Sequence, residues 1–285
     1  MNFVYRWVTL AMFVLAMGLS GCHSSENKEE VTVVPRPLSV EKGAGSFTLT
    51  ATSVIAVPGE AQQTVAGTFA ALFTASSGFT PEVKVAAEGD ICLQVDEKME
   101  DEAYELKVTP DGALLKAADN RGFFYGLQSL RLMLPASVEG ASGKAAQAWT
   151  IPAVTIKDKP RFAYRGFMLD VARFFMPKED LLRMIDCMAM LKLNRLHLHL
   201  TDDNGWRLEI KKYPKLTEVG AWRVDRRPLP FPDRRNPEKG EKATVGGFYT
   251  QEEMKEVIAY AAARQIEIIP EIDIPAHSNA ALAAY

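Results

Sequence analysis

The stretch 164–203, YRGFMLDVARFFMPKEDLLRMIDCMAMLKLNRLHLHLTDD, constrains the fold most, because it reads as strand, helix, strand with polar residues at both strand exits. Residues 165–172 alternate bulky and small side chains. Pro177 suits the first position of a helix, and Glu179 and Asp180 suit the dipole of its first turn. Leu181, Leu182, Ile185, Met188 and Ala189 then recur at helical spacing, and 196–200 is a period-two run, Leu-His-Leu-His-Leu. Two strands joined by a helix of this length are parallel, with a right-handed crossover.

A second unit follows. Thr250 with Glu253 three residues on forms a capping box, Met254, Val257, Ile258 and Ala261 make a buried stripe, and 266–275 reads as a third strand. Three strands alternating with helices predict an α/β architecture, a barrel or an open doubly wound sheet. A (β/α)8 barrel takes about 250 residues, and 158–285 supplies about half of that, so the expectation is an incomplete TIM barrel. Between the second and third strands, 225–242 is crowded with Pro, Arg, Asp, Gly and Lys and reads as a long surface loop. Upstream, 31–157 reads as a small α+β domain. Its expected strands are 53–57, 82–86 and 91–95, followed by a hairpin of 104–108 and 113–117 about Thr109-Pro110-Asp111-Gly112. Its expected helices are 61–73 and 122–134, the latter with Phe123, Leu127, Leu130 and Leu134 toward the sheet. Residues 136–148, rich in Ala, Ser and Gly, read as a linker, with the domain boundary near Asp158-Lys159-Pro160.

The N-terminus has a different character. Arg6 precedes an apolar run, 7–19, that is too short for a comfortable membrane span and reads as an export signal. Its end, Leu19-Ser20-Gly21-Cys22, resembles the lipobox of bacterial lipoproteins, which implies a signal over 1–22, a lipid on Cys22, a polar tether over 23–30 and a place in the cell envelope; an ordinary secretory signal is the alternative. With Cys22 lipidated, only Cys92 and Cys187 remain, in separate domains, and a disulfide framework is not expected. The balance of 33 basic against 36 acidic residues, net charge -3, gives no reason to expect a nucleic-acid partner.

The residues able to carry chemistry gather at strand exits. On alternation, Arg165, Phe167, Leu169, Val171 and Arg173 share one face, which puts Arg173 at the carboxyl end, where barrel enzymes build their sites. Its donors suit a carboxylate or sugar hydroxyls; a salt bridge to Asp170 or Asp202 is the plainer role. His197 and His199 share a face of the second strand, with Asp202 and Asp203 at its exit, and His277 makes a third imidazole. These admit a metal reading or hydrogen-bonded barrel-lining histidines. On the third strand Glu267, Ile269, Glu271 and Asp273 point one way, and Asp273 and His277 are placed to pair. Trp206 and Trp222 offer faces for stacking on a sugar or for capping apolar surface.

Three segments together carry a resemblance. RGFMLDVARFFMP, LNRLHLHLTDDNGWRLEI and PEIDIPAHSNA, in that order and spacing, resemble the glycoside hydrolase family 20 β-N-acetylhexosaminidases, and RGFFYGLQSLRLML resembles the closing helix of that family's N-terminal domain. The resemblance implies removal of terminal β-linked N-acetylglucosamine or N-acetylgalactosamine from glycans, with no cofactor and no metal. It makes Arg173, Asp202 and His277 substrate-binding residues, with Asp273 and Glu271 in support. Ala276 stands where the family usually has Gly, and strict alternation would group Asp203 rather than Asp202 with the histidines. Family catalysis is assisted by the substrate's own acetamido group, with an Asp-Glu pair in a Gly-Gly-Asp-Glu motif on the next strand. No such motif occurs in the 285 residues, so no catalytic residue is present, the pair is expected beyond Tyr285, and the chain is expected to be an inactive fragment. The competing readings are a noncatalytic glycan-binding surface lipoprotein and a metal-dependent TIM-barrel hydrolase.

Overall fold

The first seven strands form one sheet: β1 Ser39–Thr50, β2 Val54–Val57, β3 Glu82–Val85, β4 Ile91–Val95, β5 Tyr104–Thr109, β6 Gly112–Ala117 and β7 Ala148–Asp158, in the order β1-β7-β5-β6-β4-β2-β3. The computed structural model describes residues 31–140, 148–225 and 240–285, and Thr32–Tyr285 form one compact unit. Three helices accompany the sheet, α1 Gln63–Ala70, α2 Leu72–Ser77 and α3 Asn120–Leu132. Asp119 caps α3 by accepting from the Gly122 amide at 2.8 Å, the ordinary means of satisfying an unpaired first-turn donor. Helix α3 lies on β5 and β6, burying Phe123, Leu127 and Leu130 with Leu106 and Leu115. Each such side chain contributes about 1.5–3 kcal/mol. The approach is close enough that a Cβ at Gly126 would meet Leu115 Cδ1 at 2.3 Å, so only glycine fits there.

This half departs from the sequence reading at both ends. The expected helix 61–73 is a 3-10 turn, Glu60–Gln62, then α1 and α2 separated at Ala71, and it stops where Gly78 takes φ +75°. Past the expected linker 136–148, which meets β7 only at Ala148, β7 lies inside the sheet between β1 and β5. Trp149, Ile151 and Ala153 on alternate positions of β7 are buried. Pro152, having no N–H to donate, masked this period, and β1 bulges opposite it between Lys42 and Ser46.

The second half adds β8 Gly166–Asp170, α4 Lys178–Met190, β9 Arg195–His199, β10 Thr201–Asp202, β11 Gly205–Trp206, α5 Lys215–Glu218, β12 Trp222–Arg223, β13 Val245–Gly246, α6 Gln251–Ala262, β14 Glu267–Glu271 and α7 Asn279–Ala284. Strands β8, β9 and β14 form a parallel sheet with β9 in the middle; Asp170, His199 and Glu271 stand in register at its carboxyl end. Helices α4 and α6 pack on each other. The capping box of α6 is complete: the Glu253 amide donates to Thr250 Oγ1 at 3.1 Å, and the Thr250 amide donates to Glu253 Oε2 at 2.9 Å. The expected loop 225–242 falls largely outside the described residues.

A buried polar seam joins the halves. Lys192, beyond α4, donates to Tyr104 Oη and Ser129 Oγ at 2.9 Å each and to Asp158 Oδ2 at 3.2 Å. Arg165 pairs with Glu102 at 3.0 Å and donates to Tyr125 Oη at 2.7 Å. Arg165 therefore serves the domain junction rather than sharing a face with Arg173.

Candidate functional site

Strand β8 ends three residues sooner than alternation suggested. Its last residue, Asp170, accepts from the amides of Ala172 and Arg173 through Oδ1, at 3.0 and 2.9 Å, and this side-chain turn stops the strand. Arg173 thus sits in the loop beyond β8, and its guanidinium folds back on two carboxylates. Nη1 donates to Asp170 Oδ2 and Nη2 meets Asp202 Oδ2, both at 2.6 Å. The side chain stays 43% exposed. An arginine has five N–H donors, so others remain for a ligand.

Asp202 is 2% exposed and is the hub. Its Oδ2 receives His199 Nε2 at 3.0 Å as well as Arg173, and its Oδ1 accepts from the Asp203 amide at 2.6 Å. Strand β9 has ended by then: Thr201 and Asp202 pair with Trp206 and Gly205 in a two-residue hairpin. That break turns Asp202, rather than Asp203, toward the histidines. His199 is itself held between two acids, since its Nδ1 lies 3.0 Å from Glu271 Oε1. Burial disfavours the imidazolium, but the bonds to Asp202 and Glu271 outweigh it and raise the His199 pKa above 6.5. Burial likewise opposes ionisation of Glu271 and of Asp170, yet His199 holds the first below its ordinary value and Arg173 the second. Glu271 also meets His197 Nε2 at 2.5 Å, so one carboxylate orients both imidazoles of β9.

The expected Asp273–His277 pair does not form. The Asp273 amide donates to Thr201 Oγ1 at 3.0 Å, tying β14's exit to β9's. His277, at φ +50°, instead faces Asp202 Oδ1 at 3.5 Å and Asp203 Oδ2 at 3.6 Å. The chain bends after Glu271, so period-two placement no longer applies to Asp273. Asp203 Oδ1 accepts from the Asn279 amide at 3.3 Å, which holds the start of α7 to the same cluster. Of the tryptophans, Trp206 donates to the Leu208 carbonyl at 2.7 Å, and Trp222, 40% exposed, borders an open groove with Asp203 and Asn204.

Among the described residues, two groupings place ligand atoms within 4.8 Å of one another, His199 with Glu271 and Asp273, and Asp202 with Asp203 and His277. In the first, both imidazole nitrogens already face carboxylates. In the second, the Arg173 guanidinium occupies Asp202. A cation at either would have to displace hydrogen-bonded partners, and the paired arginine, acids and histidines suit the recognition of hydroxyls. Two residues that shape the site went unassigned in the sequence: Thr201, a plain strand residue, and Arg207, a charge in the run Gly-Trp-Arg-Leu-Glu-Ile that gave no sign of complete burial.

Parallel β/α units with an oriented arginine, acids and histidines at the strand carboxyl ends define an α/β enzyme site for a polar ligand. The chain belongs to glycosyl hydrolase family 20: residues 30–159 match "Glycosyl hydrolase family 20, domain 2" and residues 162–285 match "Glycosyl hydrolase family 20, catalytic domain". It is 38% identical over 265 residues to a β-hexosaminidase of Porphyromonas gingivalis, covering 91% of this chain and 32% of that one. To a β-hexosaminidase of Vibrio furnissii it is 40% identical over 254 residues, covering 89% and 39%. Among solved structures it resembles a mutant Streptomyces plicatus β-hexosaminidase in complex with the product GlcNAc, with a TM-score of 0.77 and 37% identity over 89% of this chain and 48% of that one. The chain therefore spans between a third and a half of the length of these relatives.

Proposed function

We propose that this chain holds the terminal N-acetylhexosamine of a glycan at the carboxyl ends of β8, β9 and β14, as part of a β-N-acetylhexosaminidase of the retaining, substrate-assisted kind. The observation that carries this reading is the Arg173 guanidinium, locked on Asp170 and the buried Asp202 at 2.6 Å yet still open to solvent. A planar donor fixed this way recognises a pair of neighbouring hydroxyls at little cost in ordering. Arg173 and His277 make the contacts, Asp202 orients both, and Glu271 and Asp273 brace the strand ends. The relatives' names and the GlcNAc-bound neighbour support the choice of sugar.

In the reaction, the substrate's acetamido oxygen attacks the anomeric carbon while an acid protonates the leaving oxygen. The 285 residues contain no Gly-Gly-Asp-Glu motif, and we assign that acid to sequence outside them. The chain as given then binds the sugar without cleaving it, which also accommodates a noncatalytic glycan-binding role. Cys22, outside the described residues, is proposed as the lipid attachment point that keeps the protein at the cell envelope.

Titration with N-acetylglucosamine, and release of p-nitrophenol from its β-N-acetylglucosaminide, test this together. Binding that weakens at least tenfold in Arg173→Ala, with no turnover, is the expected result. Absence of binding would sink the sugar reading, and robust turnover would show that the acid lies within these residues. Mass spectrometry of the mature N-terminus should find a lipidated Cys22.

A further inference from the structure

Arg207 is completely buried, and among the described residues no carboxylate lies within ion-pair distance of it. Its acceptors are five main-chain carbonyls. Nε donates to Val171 at 3.0 Å, Nη1 to Ala221 at 2.5 Å and Gly247 at 3.0 Å, and Nη2 to Ala172 at 2.7 Å and Asn204 at 3.3 Å. These use all five N–H hydrogens of the planar fork. Phe175 lies over the group, 5.8 Å from ring centre to Cζ. On another side there is room only for glycine, since a Cβ at Gly205 would stand 2.1 Å from Cζ. Burial pushes the guanidinium pKa down to about 10, and it remains a cation at neutral pH.

A buried charge must be solvated by what surrounds it. Here the solvating dipoles belong to separate loops, and each loop is bound to keep its carbonyl in place. Val171 and Ala172 immediately precede Arg173, and Asn204 follows Asp202 and Asp203. One side chain therefore joins the loop that carries the sugar-facing guanidinium to the loop that carries its buried carboxylate.

We propose that Arg207 is the positioning residue of the site, setting the Arg173 loop against the Asp202 hairpin without touching the ligand. The link to sugar binding rests on the function proposed above; the link between the loops does not. Lysine cannot take over, because an ammonium has three donors in a tetrahedral array and cannot reach five carbonyls in one plane.

The test uses the 285-residue chain. In Arg207→Lys, amide hydrogen exchange over 171–175 and 203–206 should rise about tenfold or more while β5 and β6 keep their wild-type rates. N-acetylglucosamine affinity should fall about tenfold, yet by less than about twofold when the substitution is made on Arg173→Ala, because coupled residues are not additive. Phe175→Leu uncovers the guanidinium and leaves its donors intact; it serves if the lysine variant does not fold, and should speed exchange in the same segments. Unchanged exchange in these variants, or equally fast exchange in the wild type, overturns the proposal whatever the sugar does. Additive affinity losses overturn it too, since they would make Arg207 a general stabiliser. If the wild type binds no N-acetylglucosamine while exchange responds as described, the sugar reading fails and the positioning of the two loops stands.

Discussion

Strand β6 of the seven-stranded sheet and strand β8 of the three-stranded sheet are buried in opposite ways. In β6 every second residue, Ala113, Leu115 and Ala117, is buried, and α3 seals the face above. In β8, by contrast, Phe167 is 40% and Met168 53% exposed. Parallel strands are ordinarily covered on both faces. Among the described residues, β8 and β14 each pair on one side only. The difference teaches that the two halves draw their order from different sources. The first is held by apolar packing that its own helices complete. The second buries Leu196 and Leu198 of β9 and Leu181 and Ile185 of α4, and is held besides at its carboxyl end by charge and hydrogen bonding, through Asp170, Asp202, Glu271 and the groups they orient, and at its other end by the seam to the first half.

Truncation of matched aromatics tests the contrast most strongly. Phe123→Ala removes a fully buried ring and should cost about 3–5 kcal/mol by chemical denaturation, whereas Phe167→Ala should cost less than about 1 kcal/mol. Equal losses would erase the distinction between the halves. At the site, Arg173→Ala and Asp202→Ala should each remove charge-assisted bonds that contribute about 1.5–3 kcal/mol, read as at least a tenfold loss of N-acetylglucosamine affinity. Their effects should not add; additivity would mean that the two do not act on one sugar in one orientation.

The electrostatic half should also show the stronger pH dependence. His199, raised above 6.5, contributes fully below that value, and its contribution is lost as pH rises through the folded pKa. Glu271 and Asp170, held below 4.5 and 3.8, contribute above those values, and lose that contribution as pH falls through their folded pKa values. Hydrogen-exchange protection of β9 and β14, corrected for the intrinsic pH dependence of amide exchange, should therefore be greatest between these limits, about pH 4.5 to 6.5, while that of β5 and β6 varies little there. A flat profile for both sheets would remove charge as the source of order at the strand ends. A further small effect is expected of Thr250→Ala, which opens the capping box of α6 and should cost about 1 kcal/mol, visible as a small fall in Tm.

Regular elements were legible wherever a local period ran unbroken. The α4 stripe of Leu181, Ile185, Met188 and Ala189 and the capping box at Thr250 need only neighbours a few residues away. Period-two reading failed where a side chain ended a strand: Asp170 turning β8 before Arg173, the hairpin turning Asp202, and the bend that carries Asp273 away from His277. Strand β7 was hidden because Pro152 and a flanking Ala-Ser-Gly stretch carry the local signature of a linker.

Composition and spacing alone were enough for the α/β class and the presence of two halves, since each is written in short-range periodicity; the family was legible only as a resemblance of three segments to known motifs. What required the folded chain was the pairing: which carboxylate meets Arg173, that His199 lies between Asp202 and Glu271, and that Arg207 is buried on five carbonyls. Those contacts join segments from different strands and loops, and nothing local marks them. They exist because packing brings those chain segments together, and because a buried charge is stable only where several of them meet to solvate it.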